Sequence, residues 1–297
     1  MIFLNYYEEI KTELINNEIT KRVKDYSKNR SDLNTYYNVG KLLSEAGKHY
    51  GEGIIKEYSK RLTNEFETKF GITLLKRIRQ FYIVIEKGAT MSHQLSWSHY
   101  CELLPVNSID KINYYIKITK EQNLSIRELR AKIKNNEYER LDESTKEKLK
   151  EKEELKVSDL VKNPIQIKNT SGNNEISEKV LQKLILEDIP SFLDELGNGF
   201  TFVRNEYKIK MGDRYNYIDL LLFNYEFNCF VVVELKVSEL KKEHIGQIEF
   251  YMNYIDKNLK NINQNKTIGI IICKKENKYV IEYCSDDRIL AREYELI

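Results

Sequence analysis

A chain of 297 residues, 41% hydrophobic and 32% charged, is long enough for two domains and too apolar to be disordered throughout. Its formal net charge of only +2 excludes a surface that attracts nucleic acid as a whole, so any such affinity must come from local basic patches. No apolar run approaches about 18 residues, so no membrane span is expected.

The N-terminal MIFLNYYEEIKTEL puts acids after a very short apolar start and lacks the basic segment of a signal peptide; a cytoplasmic protein is expected. Residues 1–150 hold one proline, Pro105, and read mostly as helices. The candidates are YYEEIKTELINNEITKRVKDY, TYYNVGKLLSEAGKHYG, IIKEYSKRLTNEF and TLLKRIRQFYIVIEKG. SWSHYCELL follows, with Ser96 placed as a cap, then SIDKINYYIKITKEQ and SIRELRAKIKNNEYERL. LLKRIRQFY gathers Lys76, Arg77, Arg79 and Gln80, which on a helix suit phosphate or major-groove contacts or simply a solvated face. Trp97 and His99 are expected to pack in the core.

Residues 151–176 read as a linker, densely charged at first, then VKNPIQIKNTSGNNE with Pro164 and a loop-forming cluster. A second domain is expected over 177–297. ISEKVLQKLILEDIPSFLDELG is a helix kinked or split at Pro190. FTFVRNEYKIK, YNYIDLLLF and CFVVVELKV are three strands on short connections, most simply an antiparallel meander. HIGQIEFYMNYID is a helix, and TIGIIICKK and KYVIEYC two further strands. The fold class is therefore α+β: a mostly helical N-terminal domain and a C-terminal mixed sheet. The four cysteines, Cys101, Cys229, Cys273 and Cys284, form no CxxC pair and are expected to be reduced.

Chemistry concentrates in the meander. Glu234 and Lys236 are two apart on a strand and share one face. Asp219 lies amid apolar neighbours on the preceding strand, so both carboxylates can point to one side of the sheet. Two adjacent buried carboxylates repel, and a divalent cation removes the problem. Mg²⁺ (or Mn²⁺) takes oxygen ligands, here Asp219, Glu234 and the backbone carbonyl of Leu235, and Lys236 would orient water or stabilise phosphate charge. Gln247, on the following helix with Tyr251 and Tyr254 at i+4 and i+7, would reach the same place, and His244, which opens that helix, is a candidate nucleic-acid contact. The bland alternative is a salt bridge between Glu234 and Lys236.

IDLLLF, VVVELKV and HIGQIEFYMNYID resemble the D…ExK core of the PD-(D/E)xK nuclease superfamily. DELGNGFTFV, YIDLLLFN, CFVVVELKV, GQIEFYMNYID and TIGIIICK, with HQLSWSHYCELL and SIRELRAKIKNNEYERL, are similar to YhcG-type nucleases over nearly the whole chain. The resemblance implies a restriction-endonuclease-like C-terminal domain behind a helical, winged-helix-like DNA-binding domain, and metal-dependent cleavage of DNA. It implies metal ligation by Asp219 and Glu234, catalysis by Lys236, and a site role for Gln247. A further metal-binding acid on the first core helix would be Glu178, with Glu187 second; at position 182, another suitable place, the chain has Gln182 and no acid. The proline of the superfamily name is Ile218, and an Arg-Gln pair is replaced by Asn205 and Glu206. The expected activity is a Mg²⁺-dependent deoxyribonuclease in repair, recombination or defence against foreign DNA. The expected partner is DNA, with homo-oligomers and partner proteins of a DNA-processing or defence system allowed for. The competing readings are an inactive DNA-binding or assembly protein of the same fold and a structural ion pair with partners on the N-terminal helices.

Overall fold

The computed structural model describes residues 6–23, 28–51, 53–66, 70–170, 172, 175–284 and 286–297. Residues 1–5, the end of the first expected helix at 24–26, and Ser171, Asn173 and Asn174 of the expected loop lie outside the described residues. The chain divides into two compact units, Met1–Tyr138 and Glu139–Ile297.

The first unit is helical: α1 (Tyr6–Val23), α2 (Lys28–Tyr50), α3 (Ile54–Glu65), α4 (Ile72–Glu86), α5 (Trp97–Leu103), α6 (Ile109–Glu121) and α7 (Ile126–Lys134). It has no strand among its described residues, so the wing of a winged helix is not found among them. Apolar residues at helical spacing meet in one core: Ile10 and Leu14 of α1, Val39 and Leu43 of α2, Leu62 of α3, Leu75 and Ile78 of α4. Gly40 sets how closely α2 and α4 cross, because a Cβ there would lie 2.5 Å from the Ile78 carbonyl oxygen. Ser96 caps α5 as expected: its side chain accepts from the His99 amide, and His99 Nδ1 accepts from the Ser96 amide at 3.1 Å. His99 thus has a structural role, and Trp97 packs against Tyr36 and Phe81. None of the described helices is long and apolar enough to cross a membrane.

The second unit adds α8 (Glu143–Glu151), α9 (Val157–Leu160), β1 (Ile165–Ile167), α10 (Glu178–Glu187), α11 (Ile189–Leu196), β2 (Phe200–Met211), β3 (Arg214–Asn224), β4 (Cys229–Glu239), α12 (Lys242–Asn258), β5 (Asn265–Lys275), α13 (Lys278–Glu282) and β6 (Ile289–Leu296). The sheet order is β1-β6-β5-β4-β3-β2. β2, β3 and β4 form the antiparallel meander, and β4, β5, β6 and β1 run parallel. Both faces are covered. Leu181 and Ile185 of α10 and Phe192 of α11 pack on Leu220, Val231, Val233 and Leu235, while Ile248, Tyr251 and Met252 of α12 pack on Leu221, Val232 and Ile271. This two-sided burial is why β4 carries the unbroken valine run 231–233. Gly269 of β5 lets α12 lie close, since a Cβ there would stand 2.6 Å from Met252 Sδ.

Two expectations need correction. Residues 151–176 are not a plain linker: Val157, Val161, Ile165 and Ile167 enter the core, and β1 pairs with β6. KYVIEYC is not a strand but α13 and its exit, with no buried residue in the helix; the last strand is β6, whose Ile289, Leu290 and Ala291 are buried against β5. Apolar, β-branched residues suit either state, and a partner edge decides.

The segment before β1 is fixed by a buried ion pair. Arg140 binds the Glu195 carboxylate of α11 and donates to the Pro164 carbonyl at 3.0 Å, and Glu195 accepts from the Gln166 amide at 2.9 Å. Arg140→Ala is expected to cost about 1–3 kcal/mol in urea unfolding, because Glu195 loses its two-pronged partner and is left the Gln166 amide and Lys162 at 4.0 Å.

Candidate active site

The site begins where two strands part. β3 and β4 pair from Asn224↔Cys229 to Leu220↔Val233, and the next opposed residues would be Asp219 and Glu234. The Leu235 amide donates to Asp219 Oδ2 at 2.8 Å, a side-chain bond standing in for the ladder. The Asp219 backbone carbonyl accepts from Gln182 Nε2 of α10 at 3.0 Å. Gln182, considered in the sequence only as a position where an acid was absent, is thus the residue that pins the Asp219 backbone. Gln182→Leu is expected to leave the helix packed but free that carbonyl, costing about 1–3 kcal/mol in thermal or urea unfolding.

Alternation on β4 puts Glu234 and Lys236 on the side of Val232, facing α12. Glu234 is 1% exposed. Its Oε2 lies 3.3 Å from Lys236 Nζ, and its Oε1 is buried with no hydrogen-bond partner. Burial first, and the nearby Asp219 second, push its carboxyl up to about 8. Burial likewise raises Asp219, opposed by the Leu235 amide and by Lys236. Burial pulls the Lys236 ammonium the other way, but Glu234, Glu178 and Asp219 together hold its pKa above the ordinary value.

Glu178 is the first residue of α10, started by Ser177, whose Oγ accepts from the Val180 amide at 3.3 Å. That start places Glu178 Oε2 at 3.7 Å from Lys236 Nζ. Glu187, the second candidate, accepts instead from Thr170 Oγ1 at 2.9 Å at the far end of α10. On α12, Gln247 Nε2 donates to the Tyr251 hydroxyl at 3.2 Å. Tyr251 is both core and site: burial raises its pKa, Gln247 opposes, and the Glu234 and Asp219 charges raise it further. Tyr254 is half-buried packing. His244 accepts from the Lys241 amide at 3.2 Å, and burial, then Lys236, lower its pKa.

Glu206 occupies an unusual place. It falls on β2 between the pairs Asn205↔Leu220 and Tyr207↔Ile218, opposite Asp219, with a left-handed φ of 45°. Its charge adds to those raising Asp219.

In the first unit, Lys76 and Arg77 of α4 are exposed and Arg79 half-buried. Burial raises the Cys101 thiol pKa and the nearby Arg77 charge opposes it, while Gln80 Nε2 donates to the Leu104 carbonyl at 2.7 Å. Gln80 thereby ties α4 to the end of α5.

Among the described residues there is no group of three His, Cys, Asp or Glu arranged to hold a metal ion. The oxygen set is smaller and suits a hard cation that keeps water: two carboxylates and a backbone carbonyl. The orphaned Glu234 Oε1 is the observation that fits a cation, because a buried carboxylate oxygen without a donor lacks a partner that a metal would supply.

Residues 158–297 match the family described as the YhcG PDDEXK nuclease domain, and residues 11–140 the DUF1016 N-terminal domain. The chain is 25% identical to the Escherichia coli (strain K12) protein described as "Putative nuclease YhcG", over 88% of this chain and 82% of that one. Among solved structures it is similar to "crystal structure of a repair endonuclease from Pyrococcus abyssi", at 17% identity and a TM-score of 0.29, covering 43% of this chain and 49% of that chain. It is also similar to "Structure of EndoMS-dsDNA2 complex", at 18% identity and a TM-score of 0.29, covering 43% and 48%. The match spans about half the length of both.

Proposed function

We propose, from the premise that this chain belongs to the YhcG family of PDDEXK nucleases, that it is a divalent-metal-dependent deoxyribonuclease. The observation that carries the metal dependence is the buried Glu234 carboxylate beside Asp219, with one oxygen unpartnered and Lys236 within 3.3 Å.

Asp219, Glu234 and the Leu235 carbonyl would hold Mg²⁺ or Mn²⁺. In a strand the N–H and C=O of one residue point to the same edge, so the Leu235 carbonyl shares the side on which its amide meets Asp219. When bound, the ion neutralises phosphate charge and acidifies water. The chain does the rest. Glu234 would have to be ionised to hold the cation, so acid would oppose metal binding. Lys236 donates toward the attacking water or a non-bridging phosphate oxygen, and Glu178 keeps the ammonium turned to that side. The Gln247 amide, braced by Tyr251, is available to a water or phosphate, with His244 at the rim near Lys236. Lys76, Arg77, Arg79 and Gln80 are proposed phosphate contacts of the helical unit. The proposed setting is the cytoplasm, in DNA repair, recombination or defence.

Supercoiled plasmid tests the reading. Nicking or linearisation is expected with Mg²⁺ or Mn²⁺, none with EDTA, and RNA should remain intact. DNA binding without cleavage under either metal, the same for wild type and Asp219→Asn, would instead establish an inactive binding protein.

A further inference from the structure

The β2–β3 hairpin outruns the sheet. β4 pairs with β3 only as far as Leu220↔Val233, whereas β2 and β3 stay paired out to Met211↔Arg214. Beyond the parting point they form a two-stranded ribbon with two different sides. One side, with Ile209 and Ile218 and the half-buried Tyr207, packs into the core beneath α12. The other carries the opposed pairs Lys208↔Tyr217 and Lys210↔Tyr215. All four are exposed, each tyrosine at 51%. Lys208 Nζ stands 3.8 Å from the centre of the Tyr215 ring, a cation–π contact that orders both side chains on this side.

Core packing does not account for these tyrosines, since Ile209 and Ile218 bury the opposite side. Residues 204–217 hold four basic side chains against two acidic ones, in a chain that is otherwise nearly neutral. Tyr217 is two residues from Asp219 on the same strand. Exposed rings interleaved with ammonium groups provide stacking platforms for bases and contacts for phosphates. We propose that this side of the ribbon binds an unpaired segment of the nucleic acid whose backbone enters the Asp219–Glu234 site. Bases stack on Tyr215 and Tyr217, and phosphates meet Lys208 and Lys210. The substrate class is thus nucleic acid with a single-stranded stretch next to the scissile bond. The inference rests on the nuclease reading, but its test reads binding alone.

The full chain carrying Asp219→Asn, which prevents cutting, is titrated into fluorescein-labelled oligothymidylate and into a short duplex, followed by anisotropy. Tyr215→Ser with Tyr217→Ser is expected to weaken oligothymidylate binding about tenfold or more, and duplex binding less than about twofold. Tyr215→Phe with Tyr217→Phe keeps the rings and should stay within about twofold of the parent. Lys208→Ala with Lys210→Ala should reduce the salt slope of oligothymidylate binding by about one to one and a half. Unchanged affinity of the serine pair, an equal loss on duplex, or a loss in the phenylalanine pair matching the serine pair would each overturn the proposal. A chain that binds as expected but never cuts would leave this inference standing and remove only the nuclease reading.

Discussion

Lys236→Met is expected to slow DNA cleavage by about 10²- to 10⁴-fold while leaving Mn²⁺ binding within a few-fold of wild type. The carboxylates, not the ammonium, are the proposed ligands, and losing the positive charge removes a competitor for them. What disappears is the group 3.3 Å from Glu234 that can donate to water or phosphate oxygen as negative charge develops. Methionine keeps the apolar stem packed, so the loss should fall on the chemical step. Asp219→Asn is the contrasting variant: it keeps an oxygen for the Leu235 amide but gives up the charge, and Mn²⁺ affinity should fall with the rate. Single-turnover cleavage with Mn²⁺ titrations separates the two. If Lys236→Met cleaved at the wild-type rate, Lys236 would be no more than a partner for Glu234 and Glu178.

The metal-free protein should become less stable as pH rises from about 5 to about 8, and Mg²⁺ should restore that stability at the alkaline end. Glu234 is pushed up to about 8 in the fold, by burial and then by Asp219, from its ordinary value of 4.5. Its contribution is therefore complete below the ordinary carboxylate range and is lost as pH climbs through about 8. Over that window the unfolded chain binds fewer protons than the native one, so stability falls. Asp219, also raised by burial, acts in the same direction. Lys236, held above its ordinary value, titrates at higher pH and does not offset the decline. In melting curves with EDTA the fall should amount to several degrees. Glu234→Gln should flatten most of it, remove the Mg²⁺ rescue and abolish cleavage. A melting temperature that stayed flat or rose with pH in the wild type, or an undiminished fall in Glu234→Gln, would rule out a buried carboxyl titrating in this window.

Much of the frame is legible in the residues because period and contrast survive without coordinates. The valine run of β4 is buried on both faces, so Glu234 and Lys236 stand out as charges with no apolar reason to be there. Asp219 stands out the same way in IDLLLF. Helical spacing marks α2, α4, α10 and α12, and Ser96 and Pro190 mark ends that the structure has. Short or ambiguous segments are another matter. β1 is three residues long, too short to carry a pattern, and KYVIEYC has strand-like side chains yet opens as a helix with no buried residue.

The tertiary structure alone decides how those residues act. α12 over one face turns Glu234 from a strand-end acid into a buried carboxyl with an unpartnered oxygen. α10 against the other face brings Gln182 to the Asp219 carbonyl and Glu178 to Lys236, contacts between residues tens of positions apart. The early end of the β3–β4 ladder frees the Leu235 amide for Asp219 and lets the hairpin run on, leaving Tyr215 and Tyr217 in solvent. The residue types that can carry the chemistry, and their order along the chain, are set by the sequence, because charge within an apolar strand is a local signal. Their convergence, burial and protonation are set by packing between distant elements, because desolvation depends on what covers a group rather than on what precedes it in the chain.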